Sequence, residues 1–365
     1  MRIVIDGRML TTKTHGIAVH TYNLIKALAQ IDRETQYVVL VRPGHVIDFS
    51  FPNMELFETD ISMYSIKEQI LMPRVLEKLA PDLYHIPTFS APVFLKVPFI
   101  MTIHDLIHVK FPQDYTLFHK LYYQYIVGKS AQNAKKVITV SQNSKVDICK
   151  IFKLPATKVE VIFNGVDIKT IEKKAVSQAK TYMKEKFGVS EDYIMCVGNE
   201  KPHKNLVVAV KAYSKLKSMG FDNLAMVISG ADKIFIEKKL PLFKEKIYCF
   251  DNLRDKDLYS AYKASELLLF PSFYEGFGYP PLEAMALGVP VVTADSSSLP
   301  EIVGDAGLMV SSSDFEGFAC IMAKLLKNRD FRQKLIKKGQ ERVKSFTLEK
   351  MAEKTLNLYR RVSDQ

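Results

Sequence analysis

Cysteine is scarce and scattered: Cys149, Cys196, Cys249 and Cys320 are spread through a 365-residue chain, and no Cys-x-x-Cys occurs. That spacing argues against a disulfide framework or a zinc knuckle and fits a reducing compartment. No uninterrupted apolar run approaches the roughly 20 residues of a membrane span. The most apolar stretch, residues 91–103, is broken by Pro92, Lys96 and Pro98. The N-terminus meets Asp6 before an apolar leader core develops, so no secretory leader is expected. There is no basic tail, no zinc-finger or RNA-recognition signature, no His-Glu-x-x-His and no repeat at solenoid spacing. These absences weigh against a nucleic-acid-binding module, a zinc protease and a repeat array.

What is present is ordinary globular composition, with 47% hydrophobic and 25% charged residues and a mean hydropathy of −0.02. Disordered, collagenous and coiled-coil readings are excluded. The net charge of +11 points to an anionic partner, whether nucleic acid, phosphate or membrane. It is diffuse: residues 1–170 carry net +5 and the remainder net +6. Most of these lysines read as a solvated surface.

Short β-type runs alternate with amphipathic helical stretches along the whole chain. Strands are expected at residues 3–6, 37–42, 83–86, 99–104, 137–140 and 159–163. A second series follows at 193–197, 225–229, 247–250, 267–270 and 289–293. Helices fall between them, including 17–30, 65–79, 115–134 and one capped by Ser141. The alternation predicts parallel α/β sheets. Its two series predict two doubly wound, Rossmann-like domains facing across a cleft: residues 1–168 and 169–346, with a C-terminal helix at 347–365. In the aromatic helix, Leu117, Leu121 and Tyr125, with Phe118, Tyr122 and Ile126, fall on helical spacing and are expected in the core. Lys120, Lys129, Lys135 and Lys136 are expected to rim it, facing a membrane.

Ligands in open parallel sheets bind at the carboxyl ends of strands. The richest such segment is Glu275-Gly276-Phe277-Gly278-Tyr279-Pro280-Pro281-Leu282-Glu283, which ends a strand and enters a helix. Its glycines let backbone amides approach an anion, and a helix start favours negative charge. Carboxylates suit hydroxyls instead. An anion-binding loop between Glu275 and Glu283 therefore describes a nucleotide sugar; the alternative is that Glu283 complements the helix dipole and Glu275 is a solvated loop residue. After strand 193–197 comes Gly198-Asn199-Glu200-Lys201-Pro202-His203-Lys204-Asn205, where Lys204 can neutralise a diphosphate or lie on the surface. This loop lacks the Gly-Lys-Ser/Thr of a P-loop. Gly16 opens the first helix, and His104 ends a central strand. His104 and His108 stand four apart, but without the rest of a zinc motif. Asp255-Lys256-Asp257 reads as the start of a helix rather than a metal site.

These residues resemble a family 4 glycosyltransferase of the GT-B type, over nearly the whole length. The most specific part is Glu275–Glu283 with the following Ala284–Val292. Asp6-Gly7-Arg8, Gly16-Ile17, His104-Asp105, Val140-Ser141, Asn164-Gly165-Val166-Asp167, Lys204-Asn205 and Leu299-Pro300-Glu301-Ile302 support it. The resemblance implies that Glu275 binds donor-sugar hydroxyls and that Glu283 binds the ribose. Lys204, Asn199 and the amides of Gly276, Phe277 and Gly278 would hold the diphosphate, with Gly16 contacting it from the N-terminal domain. His104 would border the sugar and the acceptor. Family members often carry Arg where Asn199 stands, so Lys204 is expected to carry more of the charge. The resemblance further implies a retaining, metal-independent transfer without a cofactor. GDP-mannose is the expected donor, a UDP-sugar the alternative, and a lipid-linked or polysaccharide acceptor is expected at the cytoplasmic face of a membrane. A non-catalytic nucleotide-sugar-binding subunit is the competing class. No nucleic-acid partner is expected.

Overall fold

The computed structural model describes residues 1–10, 16–45, 51–89, 91–111, 122–239 and 246–364. The chain divides into two compact units: Met1–Gly165 with Phe346–Gln365, and Val166–Ser345. The passage from one unit to the next falls at Gly165 and Val166, three residues before the expected join.

The first unit holds a seven-stranded sheet in the order β3-β2-β1-β4-β5-β6-β7. The strands are β1 (Arg2–Asp6), β2 (Gln36–Val41), β3 (Met54–Glu58), β4 (Leu83–Ile86), β5 (Phe99–Thr102), β6 (Lys136–Thr139) and β7 (Val159–Val161). Every pairing is parallel. The strands are almost continuously apolar because helices cover both faces. Alternation sorts them into two cores. Val4, Val38, Tyr84, Met101 and Val137 face helices Ile66–Leu79 and Gln142–Phe152. Ile3, Ile5, Val39, Leu83 and Ile138 face helices Gly16–Ile31 and Leu348–Ser363. The C-terminal helix is thus an element of the first unit. Its Tyr359 hydroxyl lies 2.6 Å from His85 Nδ1, and its Met351 sulfur accepts the Gly165 N–H at 3.3 Å.

β1 ends in a buried ion cluster. Arg8 donates through Nη2 to Asp6 and to Glu68, both at 2.6 Å, and the Tyr84 hydroxyl adds a 2.7 Å bond to Asp6. One guanidinium faces two carboxylates. Burial accordingly pushes Glu68 up against the pull of Arg8, while Asp6 is held below its ordinary value.

The second unit holds a six-stranded parallel sheet in the order β10-β9-β8-β11-β12-β13. The strands are β8 (Tyr193–Val197), β9 (Ala225–Ser229), β10 (Ile247–Phe250), β11 (Leu267–Phe270), β12 (Val291–Ala294) and β13 (Leu308–Val310). Four of them have the bounds read from the sequence.

Several expectations are corrected. The helix expected at 115–134 lies partly outside the described residues, including Leu117, Phe118, Lys120 and Leu121. Its remainder is a π-helical stretch, Tyr122–Val127, followed by α-helix Gly128–Asn133. The wider π winding shifts the inward phase: Tyr123 and Val127 are buried and Tyr125 is exposed. Of the expected lysine rim, Lys120 lies outside the described residues and Lys129 and Lys135 are exposed, while Lys136 is drawn away from it. Lys136 belongs to β6, and its ammonium donates to the Thr157 carbonyl at 2.6 Å. Asp255 pairs with Lys174, and Asp257 accepts from Tyr182 and Lys186 at 2.6 and 2.7 Å. Both carboxylates are engaged by unit-two side chains, and among the described residues no group of three metal-binding side chains forms.

Candidate functional site

In the second unit the strand order reverses beside β8, which has β9 on one side and β11 on the other. Chains leaving β8 and β11 part toward opposite faces, the arrangement that opens a crevice at strand ends. The loop after β8 winds Pro202–Lys204 into a 3-10 turn before helix Leu206–Ser218. The loop after β11 carries Glu275 and enters helix Tyr279–Ala286.

The two loops are fastened to each other. The Phe273 N–H donates to the His203 carbonyl at 2.8 Å, and the Asn205 amide donates to Pro271 and Ser312 carbonyls at 2.9 and 2.7 Å. Lys204 Nζ then lies 2.7 Å from Glu275 Oε1, with side chains 20% and 11% exposed. The ammonium also stands 5.7 Å from the Phe270 ring centre. A cation with limited solvent and one carboxylate neighbour is placed to bind a second anion.

Three serines after β12 hold the Glu275 loop. Ser297 Oγ accepts the Glu275 N–H at 2.8 Å, and Ser298 Oγ donates to the carbonyls of Glu275 and Phe277 at 3.0 and 2.6 Å. Ser296 Oγ donates to the Ser272 carbonyl at 2.9 Å. The sequence reading passed over this Ser-Ser-Ser run. Its signal was position: a polar run at a strand end, next to the strand that carries the motif.

Gly278 starts the helix at φ +118°, a conformation side-chain-bearing residues rarely adopt, and a Cβ there would meet Leu299 at 3.1 Å. Pro280 and Pro281 remove two first-turn donors, so this helix start offers fewer N–H groups than an ordinary one. An anion at this helix start would rely more heavily on the 276–278 amides and Lys204.

Glu283 lies in the body of the helix, partly buried against Tyr262, whose hydroxyl donates at 3.2 Å. Burial pushes its carboxyl up to about 7, with the Tyr262 bond opposing. The Tyr279 hydroxyl nearby is buried without a hydrogen-bond partner. Asn199 is exposed, and its side-chain oxygen accepts the Lys201 N–H at 3.2 Å. It closes its own turn instead of reaching toward Lys204.

Gly16 and His104 belong to the first unit. Gly16 begins its helix at an exposed position where a Cβ would meet nothing within 4 Å. Neither backbone strain nor packing demands a glycine there. His104 follows β5, with Nε2 3.2 Å from the Pro87 carbonyl. A carbonyl only accepts, so Nε2 carries the proton and the neutral ring keeps a lone pair on Nδ1. Burial lowers His104 to about 4. It is a neutral hydrogen-bond acceptor near pH 7 rather than a strong base. His20, one turn into the helix from Gly16, stands edge-on to His104 at 4.6 Å. Its two ring nitrogens are buried and make no well-formed hydrogen bond, as does the side-chain oxygen of Asn164 beside it. The sequence reading missed His20. His108 instead pairs its Nδ1 with the Tyr123 hydroxyl at 2.8 Å, so the two histidines four apart do not converge. A Gly-Lys-Ser does occur at 128–130, but inside a helix, with Ser130 donating to the Ala91 carbonyl at 2.8 Å.

Two parallel Rossmann-like units, the second with this loop pair at its switch point, define a GT-B glycosyltransferase. Residues 178–342 match the family described as glycosyl transferases group 1, and residues 14–170 match glycosyltransferase family 4. The chain belongs to this group 1, family 4 class of glycosyltransferases. It is 26% identical over 383 aligned positions to the O-antigen chain mannosyltransferase B of Escherichia coli, covering 99% of this chain and 100% of that one. The same fold is seen in the sucrose-phosphate synthase of Thermosynechococcus elongatus, with a TM-score of 0.78 and 19% identity over 99% of this chain and 98% of that one. It recurs in Anabaena HepE in complex with UDP-glucose, with a TM-score of 0.74 and 16% identity over 98% and 99%.

Proposed function

We propose that this transferase moves a hexose, mannose from GDP-mannose, onto a lipid-linked or polysaccharide acceptor in the assembly of O-antigen, lipopolysaccharide or exopolysaccharide. The observation that carries the reading is the Lys204–Glu275 pair, held at the switch point beside a glycine-rich amide loop. The similarity to an O-antigen mannosyltransferase supports mannose as the sugar. A UDP-sugar is the second reading, supported by the UDP-glucose in the Anabaena structure of the same fold.

In this reading the ammonium of Lys204 and the amides of Gly276, Phe277 and Gly278 hold the diphosphate. Glu275 accepts hydroxyls of the sugar, and Glu283 those of the ribose. The acceptor oxygen bonds to the anomeric carbon on the face that the diphosphate leaves. As the carbon–phosphate-oxygen bond breaks, the hydroxyl proton passes to the departing phosphate, and configuration is retained. His104 accepts a substrate hydrogen bond at Nδ1 and orients it. The leaving charge is stabilised by preorganised donors. The reading assigns that task to Lys204 and the amides, with no metal or other cofactor. It places the enzyme at the cytoplasmic face of a membrane, in contact with anionic lipid, and without a nucleic-acid partner.

The test is a thermal-shift screen of GDP-, UDP- and ADP-sugars with and without EDTA. The expected result is a rise in Tm with one base only, unchanged by the chelator. No shift with any of them overturns the reading. A shift without transfer to any acceptor identifies a non-catalytic binding subunit instead.

A further inference from the structure

We infer that one face of the first unit, built on helix Ile66–Leu79, is a docking surface for an anionic lipid bilayer. The helix buries Met72, Leu76 and Leu79 against the sheet, which is its expected inward stripe. Apolar side chains also stand on its outward side: Ile66 is 81% exposed, and Ile70 and Leu71 are exposed. An outward apolar stripe has no role in folding this unit and marks a contact with something outside it.

Neighbouring segments extend the patch. Gln69, between Ile66 and Ile70, accepts the Val93 N–H at 2.9 Å, which fixes the loop bearing Phe94, itself 80% exposed. Asn133 donates to the Val93 carbonyl at 3.0 Å, and Tyr122 packs edge-on against Tyr64 at 6.4 Å. The helical stretch between Tyr122 and Asn133 is therefore anchored at both ends beside helix Ile66–Leu79. It presents exposed Tyr125 and, one turn on, exposed Lys129.

Charge selects the occupant. Lys67, Arg74 and Lys129 are exposed and form no ion pair among the described residues. Of the helix's two acidic residues, Glu68 is buried on Arg8 and Glu77 pairs with Lys96 at 3.1 Å. Exposed aliphatic and aromatic side chains interleaved with uncompensated cations suit the acyl–headgroup boundary of an anionic leaflet. No described helix is long and apolar enough to cross a membrane, so contact of this kind is peripheral. The inference deepens the proposed membrane contact and rests on the reading that the acceptor is membrane-borne.

The test is co-sedimentation of the full chain with vesicles of phosphatidylcholine alone or mixed with phosphatidylglycerol, for wild type, I70S/F94S and K67E/R74E. Wild type is expected to bind the anionic vesicles and not the neutral ones. Each double variant is expected to lose roughly tenfold in binding while keeping the wild-type Tm and the same Tm shift with GDP or UDP. Equal binding to both vesicle types, or unchanged binding by the variants, overturns the inference. So does a dimer that the apolar substitutions dissolve and that binds no vesicles, because the face then serves a second copy. Failure of the nucleotide shift in wild type refutes the transferase site instead, whatever the vesicles show.

Discussion

Lys204 and Glu275 neutralise each other at 2.7 Å, so the two residues proposed to hold the diphosphate and the sugar of a donor also position each other. His20, His85 and His104 present a different economy. All three are kept neutral, chiefly by burial, His85 at about 3 and His104 at about 4, and His20 is lowered well below its ordinary value. A folded pKa below the unfolded one means that the unfolded chain binds protons first. Stability contributed by these groups is therefore present above about 6.5 and is lost as pH falls from there toward their folded values. Glu283 has the opposite sign. Its carboxyl is raised to about 7, so its contribution is full below about 4.5 and is lost as pH rises through 7. Thermal unfolding followed from pH 4 to 8 is expected to show the acid loss reduced in H85N and the alkaline loss reduced in E283Q. Parallel curves for wild type and both variants contradict these assignments.

At the scale of elements, the return of the C-terminal helix rests on a close backbone passage. A Cβ on Gly165 would lie 2.6 Å from Leu348 Cα and 2.8 Å from the Thr347 carbonyl oxygen. G165A is expected to cost about 1–3 kcal/mol, measured by urea unfolding, because backbone cannot yield as a side chain can; an unchanged midpoint refutes the crossing. The interior strands were legible because strands covered on both faces carry unbroken apolar runs. Two others were not. β3 is an edge strand whose sequence, Met-Glu-Leu-Phe-Glu, is largely solvated. β13 has three residues and follows a 3-10 turn. The strand expected at 289–293 begins two residues later, because Val289 turns its N–H back to Ala284 and Pro290 has none to give. The phase error at Tyr125 has its cause in π winding, which a 3.6-residue pattern does not encode.

For the molecule as a whole, the loop positions of Lys204 and Glu275 were legible, since each lies in a loop that follows a strand, whereas Glu283 lies within the next helix. The contacts among them were not. The Glu275 partner of Lys204, the serine brace and the His20–His104 pair are long-range consequences of sheet order. The diffuse charge of +11 resolves in the same way, into one partly buried ammonium at the site and surface cations that include Lys67, Arg74 and Lys129. Lys204 and Glu275 are proposed to form the donor site of a sugar transfer. The most direct measurement is the rate of transfer from GDP-mannose, or from the UDP-sugar that binds, to a membrane-extracted acceptor by wild type, K204A and E275A. A loss of about 10²-fold or more in each variant, with the fold intact by circular dichroism, is the predicted result. Wild-type turnover in both would contradict the account.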